Sequence, residues 1–288
     1  TTTLVAGATG YLGRFVVAEL HRRGHKVRAL TRSRERAVSP GPWDSPSLDG
    51  LVDDWAIGEV TNPAFIADVA VGIDDVISTL GVTRQKANPW DIDHRANLAI
   101  LRSAETHGVT HFCFVNVIGG DQCPAQLTRA KTAFAHELAA SQISSQIINP
   151  PGYFSDMTQI LQMARKGRVL LFRPDTRINP IHGADLATFC IDRLTDGKEG
   201  TWDVGGPEVF TWKGLAECAF QALHRPVRVA TMSPAILSPL IGALRLFNRR
   251  RADMLRFISW NMLRDCVGEP FGTHGLLDFY KDLVAGRH

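Results

Sequence analysis

Seven residues near the start of the chain, Gly7-Ala8-Thr9-Gly10-Tyr11-Leu12-Gly13, have the types and spacing to hold a phosphate group with backbone alone. Glycines at those positions let an extended run turn sharply into a helix, whose N-terminal N–H groups attract anions. The apolar run Thr3-Leu4-Val5-Ala6 precedes the turn and an amphipathic stretch from Arg14 to Arg23 follows it. Strand, glycine turn and helix in that order make the first βα unit of a dinucleotide site, with the pyrophosphate at the helix N-terminus. Thr9, Tyr11 and Leu12 are therefore expected beside the cofactor with Gly7, Gly10 and Gly13. The competing reading is a plain tight turn.

Charge argues for one dinucleotide over the other. The second strand, His25 to Thr31, ends in Arg32-Ser33-Arg34, where an NAD-selective site places an Asp or Glu for the ribose 2′-OH. No acid stands there. A guanidinium pairs with a 2′-phosphate through its planar fork of donors, so Arg32 is assigned to that phosphate, with Arg14 reaching toward the same corner. NADP(H) is thus preferred over NAD(H); the alternative leaves Arg32 and Arg34 on a solvated loop.

The elements that must position these residues alternate. Strands are expected at Trp55 to Val60, Asp75 to Leu80, His111 to Val117 and Ser145 to Ile148, and helices near Pro63 to Val71, Ile92 to His107 and Leu127 to Ser141. The pattern predicts an α/β fold, a doubly wound parallel sheet of Rossmann type over residues 1–151, completed by about 179–206. Ser39 to Pro46, with three prolines, reads as a loop or surface insertion. From Gly152 the alternation gives way to a helix around Ser155 to Lys166, short strands near Val169 and Trp202, and apolar helices after Thr211. Segments 152–178 and 207–288 are read as a smaller, mainly helical C-terminal part that covers the substrate.

Composition bounds the partners. A chain of 288 residues that is 44% hydrophobic, with a net charge of +3, describes an ordinary globular protein with no nucleic-acid partner. Its five cysteines lack C-x-x-C spacing, which argues against zinc and a disulfide framework and for a reducing compartment. His107 and His111 have no third ligand at metal spacing, so no metal is expected. The chain enters its glycine turn almost at once, so no signal peptide is expected, although a removed targeting segment would leave no trace, and cytoplasmic localisation is the default expectation. Val229 to Leu244 is interrupted by Pro234 and Pro239 and falls short of the roughly 20 apolar residues of a membrane span. The basic run Arg249-Arg250-Arg251 after Leu244 to Asn248 reads as a solvated helix end, with an anionic membrane or a partner as the alternative. A monomer or homodimer acting on a small molecule is expected.

The glycine turn, Ile77 to Arg84 (Ile-Ser-Thr-Leu-Gly-Val-Thr-Arg), Lys131, Asn179 to Ala187 (Asn-Pro-Ile-His-Gly-Ala-Asp-Leu-Ala) and Val204-Gly205-Gly206-Pro207 occur in that order over most of the chain. Together they resemble the NmrA-like group of the atypical short-chain dehydrogenases/reductases, which contains reductases, redox sensors without turnover and assembly factors of electron-transport complexes. The resemblance implies that Leu80 and Gly81 line the cofactor and that Asn116 and Val117 lie beside the nicotinamide. It implies too that the loop Asn149 to Phe154, with Pro150 and Tyr153, passes behind it. Gly119, Gln122, Phe154 and Met157 are expected in the substrate pocket.

The departures from the wider superfamily carry as much information. Its Tyr-x-x-x-Lys pair uses a tyrosine as proton donor one helical turn before the lysine, and here Leu127 occupies the tyrosine position before Lys131. The superfamily serine at the end of the fifth strand is Asn116, and the acid after the third strand is Glu59. Lys131 is expected to bind the nicotinamide ribose, or else to donate to a developing enolate or alkoxide. Tyr153 is a substitute proton donor or an aromatic wall; Asp156 accepts from substrate or complements a helix start. His182 and Asp185 read as a tie between strand and helix rather than a relay, and Cys123 as a small pocket residue rather than a reactive thiol. The expected activity is NADPH-dependent reduction of a small conjugated or cyclic organic substrate. The alternatives are a non-catalytic NADP(H) sensor or assembly protein, and a cofactor-retaining isomerase or cyclase.

Overall fold

The computed structural model describes residues 1–82 and 87–287, so Thr83 and Arg84 of the Ile77 to Arg84 motif lie outside the described residues. Along the chain the first elements are β1 (Thr2–Ala6), α1 (Tyr11–Arg22), β2 (Lys26–Thr31), α2 (Arg34–Val38), β3 (Asp54–Ile57), α3 (Pro63–Ile66) and β4 (Asp75–Ser78). A π-helical segment, Trp90–Ala96, runs into α4 (Asn97–Thr106), followed by β5 (His111–Val115), α5 (Gln126–Ala139) and β6 (Ser144–Asn149). Next come α6 (Phe154–Arg165), β7 (Val169–Leu171), β8 (Arg177–Ile178), α7 (Gly183–Asp196), β9 (Gly200–Gly205), β10 (Phe210–Thr211) and α8 (Trp212–Ala222). The chain ends with β11 (Val229–Thr231), a 3-10 turn at Pro234–Ile236, α9 (Leu237–Phe247), α10 (Arg249–Met262), β12 (Glu269–Pro270) and α11 (Leu276–Ala285).

The chain divides into two compact units. The first comprises Thr1–Asn116, Ala130–Asn149 and Leu186–Trp202, and the second the remaining segments, Val117–Arg129, Pro150–Asp185 and Asp203–His288.

In the first unit β1 pairs in parallel with both β2 and β4, β2 with β3, β4 with β5, and β5 with β6. The order β3-β2-β1-β4-β5-β6 is that of a Rossmann sheet, extended by β9 and β12 to eight strands. Strand order reverses between β1 and β4, the point at which such sheets bind ligands. Leu4 and Ala6 pack into a core with Phe112, Phe114, Phe134 and Ile147, while Val5 between them is equally buried. Side chains alternate across a strand, so burial on both sides means that both faces of β1 are covered. That is why the first strand reads as an unbroken apolar run.

Several strands are shorter than the sequence suggests. β4 stops at Ser78 and β5 at Val115, which leaves Thr79 to Gly81 and Asn116 beyond the strand ends. The third helix likewise stops at Ile66, having started from an Asn62 cap with Pro63 at its first position. The expected helix from Ile92 is π-helical until Ala96. Asn97 explains the register: its Nδ2 donates to the carbonyls of Asp93 at 3.0 Å and Ile92 at 3.4 Å, which the wider turn releases.

In the second unit, α6 packs on α8 and α8 on α11. Tyr280 of α11 is fully buried and its hydroxyl donates to the Met157 carbonyl at 2.7 Å. Asn179 joins three strands of chain: its Nδ2 donates to Gly206 O and Gly268 O, and its Oδ1 accepts from Gly268 N.

Candidate functional site

Gly7 has φ +78°, and a Cβ there would lie 2.8 Å from Thr79 Oγ1 and 2.9 Å from Leu80 N. A Cβ on Gly13 would lie 2.1 Å from Gly7 O, so only glycine lets α1 start this close to the end of β1. Gly10 is different. Among the described residues nothing but Gly7 O, at 3.3 Å, approaches its Cβ position, and the residue is exposed.

α2, α3, α8 and α10 each begin with a side-chain cap, from Ser33, Asn62, Thr211 and Asn248. α1 begins at Gly10 with no capping side chain and no acid in its first turn. Its first intrahelical bond of the turn runs from Arg14 N to Gly10 O at 3.1 Å, and the amides of Leu12 and Gly13 precede it. A helix N-terminus left without its own cap, behind an open glycine, fits a phosphate.

Arg14 does not extend toward that end. It is 4% exposed, and its guanidinium donates to five backbone carbonyls: Nε to Thr9, Nη1 to Ala37, Ser39 and Pro46, and Nη2 to Arg36. Four of these five bonds tie α1 to the 36–46 segment, which counts against the expected 2′-phosphate contact. Burial and the neighbouring Arg36 charge lower its pKa. Arg32 remains exposed at the end of β2, as do Arg34 and Arg36, with Arg34 lying 5.6 Å from the Trp55 ring centroid. Tyr11 meets Phe15 and Trp43 edge-on.

At the end of β4 a second group gathers. Lys131 on α5 lies 3.2 Å from Asp93 Oδ1, and its Nζ donates to Val115 O at 3.4 Å. Asp93 is 0% exposed, and its Oδ2 accepts from Val82 N at 3.1 Å. Gly81 permits this, since a Cβ there would stand 2.7 Å from Asp93 Oδ1 and 2.9 Å from Lys131 Nζ. Burial pushes the Asp93 carboxyl upward in pKa, and the Lys131 charge pulls it back. Sequence reasoning passed over Asp93, which sits in the π-helical segment with no spacing cue to a lysine so far along the chain. Asn116, after β5, keeps its backbone N–H on Ile148 O at 2.8 Å, while its buried Oδ1 has no hydrogen-bond partner among the described residues. A buried orphan acceptor fits a ligand that brings an N–H group.

The remaining expected residues lie in the second unit. Leu127, one helical turn before Lys131, is buried there. Gly119 has φ +61°, and its Cβ position lies 2.9 Å from the Trp260 ring, against which Arg264 stacks at 3.8 Å. Val117 O accepts from Gly120 N, and Pro150 O accepts from Ile118 N. Gln122 is exposed and Cys123 buried. Tyr153 precedes α6, with its N–H donating to Asp156 Oδ2 at 3.0 Å, so Asp156 works at the helix start. Met157 is buried. Phe154 packs at 5.4 Å from His182 and 5.5 Å from Phe279, ring to ring. It is almost completely buried in that cluster.

His182 stacks on His274 with centroids 4.0 Å apart. Asp185 Oδ1 lies 2.8 Å from His274 Nδ1, and its Oδ2 accepts from Thr273 N and His274 N. The Asp therefore caps donors, but those of a loop far along the chain. Burial opposes the Asp185 carboxylate, and the hydrogen bonds from His274 and Thr273 overcome it, lowering the pKa. A depressed pKa stabilises the fold above the unfolded value, near 3.9, and the contribution is lost as pH falls through the folded pKa. The stability difference between the parent and Asp185→Asn is accordingly expected to shrink as pH falls below about 4. Urea unfolding midpoints measured down to acid pH test this; a difference independent of pH would refute it.

Residues 7–197 match the NAD(P)H-binding family. The divinyl chlorophyllide a 8-vinyl-reductase of Zea mays is 29% identical over 262 residues, covering 85% of this chain and 65% of that protein. The chain thus spans just under two thirds of the length of that relative. The photosystem II assembly factor Ycf39 of Trieres chinensis is 24% identical, over 84% of this chain and 75% of its own. An NADPH-dependent quinone oxidoreductase from Escherichia coli, solved with NADPH, shares the fold at a TM-score of 0.76 and 17% identity, covering 99% of this chain and 100% of that one. Among the described residues no helix is long and apolar enough to cross a membrane.

Proposed function

This chain belongs to the NAD(P)H-binding family, and on that premise we propose that it is an NADPH-dependent reductase of a small conjugated or cyclic organic substrate. One observation carries the reading. Lys131 is paired with Asp93 inside the protein, and the residue four before it on the same helix is a buried leucine, which has no proton to give. Tyr280, with its hydroxyl committed to Met157 O, offers no replacement, which leaves Tyr153 before α6 as the substitute donor. A substrate reduced without a donor one turn before the lysine must accept a hydride readily, as a conjugated alkene, imine or quinone does. The name of the maize relative, a vinyl-reductase, agrees with such an acceptor.

When bound, the cofactor supplies the hydride. The chain's own residues bind and orient. Gly7, Gly10 and Gly13 with the first amides of α1 receive the pyrophosphate, and Arg32 receives the 2′-phosphate. An ammonium has three donors; with Asp93 and Val115 O engaging two, Lys131 offers the third to the nicotinamide ribose. Asn116 Oδ1 accepts from the carboxamide. Leu80 and Gly81 line the same cradle.

The test is loss of NADPH absorbance with a panel of quinones, enones and vinyl-substituted tetrapyrroles. Acceptor-dependent oxidation that disappears in Lys131→Met is expected. A panel without turnover, together with a protein partner whose affinity changes with NADPH, would replace this reading with a second one, a cofactor-reading assembly protein. That second reading draws on the assembly factor among the relatives. For cofactor choice, Arg32→Ala is expected to weaken NADPH about tenfold and leave NADH unchanged, as loss of one charge-assisted hydrogen-bonded contact implies. Equal affinity of the parent for both cofactors would remove the 2′-phosphate assignment.

A further inference from the structure

Between Glu217 and Asp253 the sequence has six arginines and no acid. The stretch folds within the second unit as α9 and α10, two helices packed on each other and reversing at Phe247-Asn248. Asn248 N donates to Leu244 O at 2.7 Å, and Asn248 Oδ1 accepts from Arg251 N at 3.0 Å, so the apex is held by helix ends. At that apex Leu246 is 83% and Phe247 88% exposed. Along α9 only Leu237 is buried, and Ile236 and Leu240 are exposed as well. Scattered exposed leucines are ordinary; a run of them at one held tip is an apolar patch that implies an apolar partner.

The charges around the tip say which partner. Arg245, Arg249, Arg250 and Arg251 surround Leu246 and Phe247, all exposed, and none forms an ion pair among the described residues. Arg249 to Arg251 open α10, the end where the helix dipole disfavours cations, and no acid in that turn offsets them. Asp253, the nearest acid, accepts from Gln126 N at 2.8 Å and Leu127 N at 3.4 Å. The fold itself therefore gives these arginines no reward. An apolar tip ringed by unpaired cations is complementary to the headgroup boundary of an anionic bilayer, with hydrocarbon beneath phosphate. Two copies of the same tip would set like charges against each other.

We infer that the α9–α10 apex docks on anionic phospholipid membranes, with Leu246 and Phe247 among the upper acyl chains and Arg245, Arg249, Arg250 and Arg251 on the phosphates. The docking is peripheral. It is separate from the reductase reading, since no residue of the apex is assigned to cofactor.

The full chain is tested by sedimentation with sucrose-loaded vesicles of phosphatidylcholine, alone or mixed with phosphatidylglycerol. The parent is expected to bind the mixed vesicles at least about tenfold more strongly and to be released by salt. The double variant L246D/F247D is expected to lose about tenfold or more. The triple variant R249Q/R250Q/R251Q is expected to lose about a hundredfold on mixed vesicles, near fivefold for each arginine. Unchanged NADPH binding in both variants reports that they are folded. No sedimentation of the parent with mixed vesicles, or equal sedimentation of L246D/F247D, overturns the inference. So does light scattering in which the parent without lipid is a dimer and L246D/F247D a monomer, which would assign the apex to a second copy.

Discussion

Arg14→Met is expected to lower the free energy of unfolding by about 3–5 kcal/mol while leaving the NADPH affinity of the folded fraction within about twofold. Five carbonyls lose a charged donor at once. A buried acceptor without a partner costs about 1–3 kcal/mol, and water entering the emptied space recovers part of the sum. Methionine keeps much of the arginine stem's volume, so the loss reports the hydrogen bonds rather than a cavity. Chemical denaturation measures the first quantity and cofactor titration on folded protein the second. A stable Arg14→Met protein with a much weaker preference for NADPH over NADH would return Arg14 to the phosphate.

The buried pair of Lys131 and Asp93 gives the second large effect. Lys131→Met leaves a carboxyl group in the interior, and Asp93→Asn leaves an ammonium there; each is expected to cost about 3 kcal/mol of stability or more. The double variant D93N/K131M, with neither charge, is expected to recover more than half of that loss, because replacing both members of a buried pair is often nearly neutral. Cofactor affinity is expected to behave otherwise. Lys131→Met and the double variant should both bind NADPH at least about tenfold more weakly, since the donor proposed for the ribose is missing in both. A thermodynamic cycle on the four proteins separates the two roles. Additive stability losses, or NADPH affinity restored in the double variant, would contradict the arrangement.

The contrast between these sites shows what the sequence could disclose. The glycine turn is legible because its constraints are local: a positive φ at Gly7 and the close approach at Gly13 concern residues within one turn. The alternation of strands and helices is legible because both faces of the sheet are covered, which writes apolar runs into the strands. Arg14 is misleading for the same reason that it is conspicuous. Its neighbours in sequence are the residues proposed to hold phosphate, but four of its five partners in space are carbonyls of residues 36 to 46, and backbone acceptors leave no mark on composition. Asp93 and Lys131 are separated by a strand and a helix, and the π-helical turn that brings the carboxylate inward has no strong sequence cue. Asp185 follows the spacing of a cap, yet the backbone donors it accepts from, at Thr273 and His274, come from the far end of the chain.

The carbonyl cage around Arg14 also sets the terms on which the proline-rich loop from Ser39 to Pro46 can change. Any residue supplies a carbonyl, so side chains there are interchangeable wherever the backbone path is kept. Length is another matter: one residue added or removed between Arg36 and Pro46 would carry acceptors out of reach of a guanidinium whose planar fork cannot follow them. A segment that resembles a tolerant surface insertion is thereby free in spelling and fixed in count.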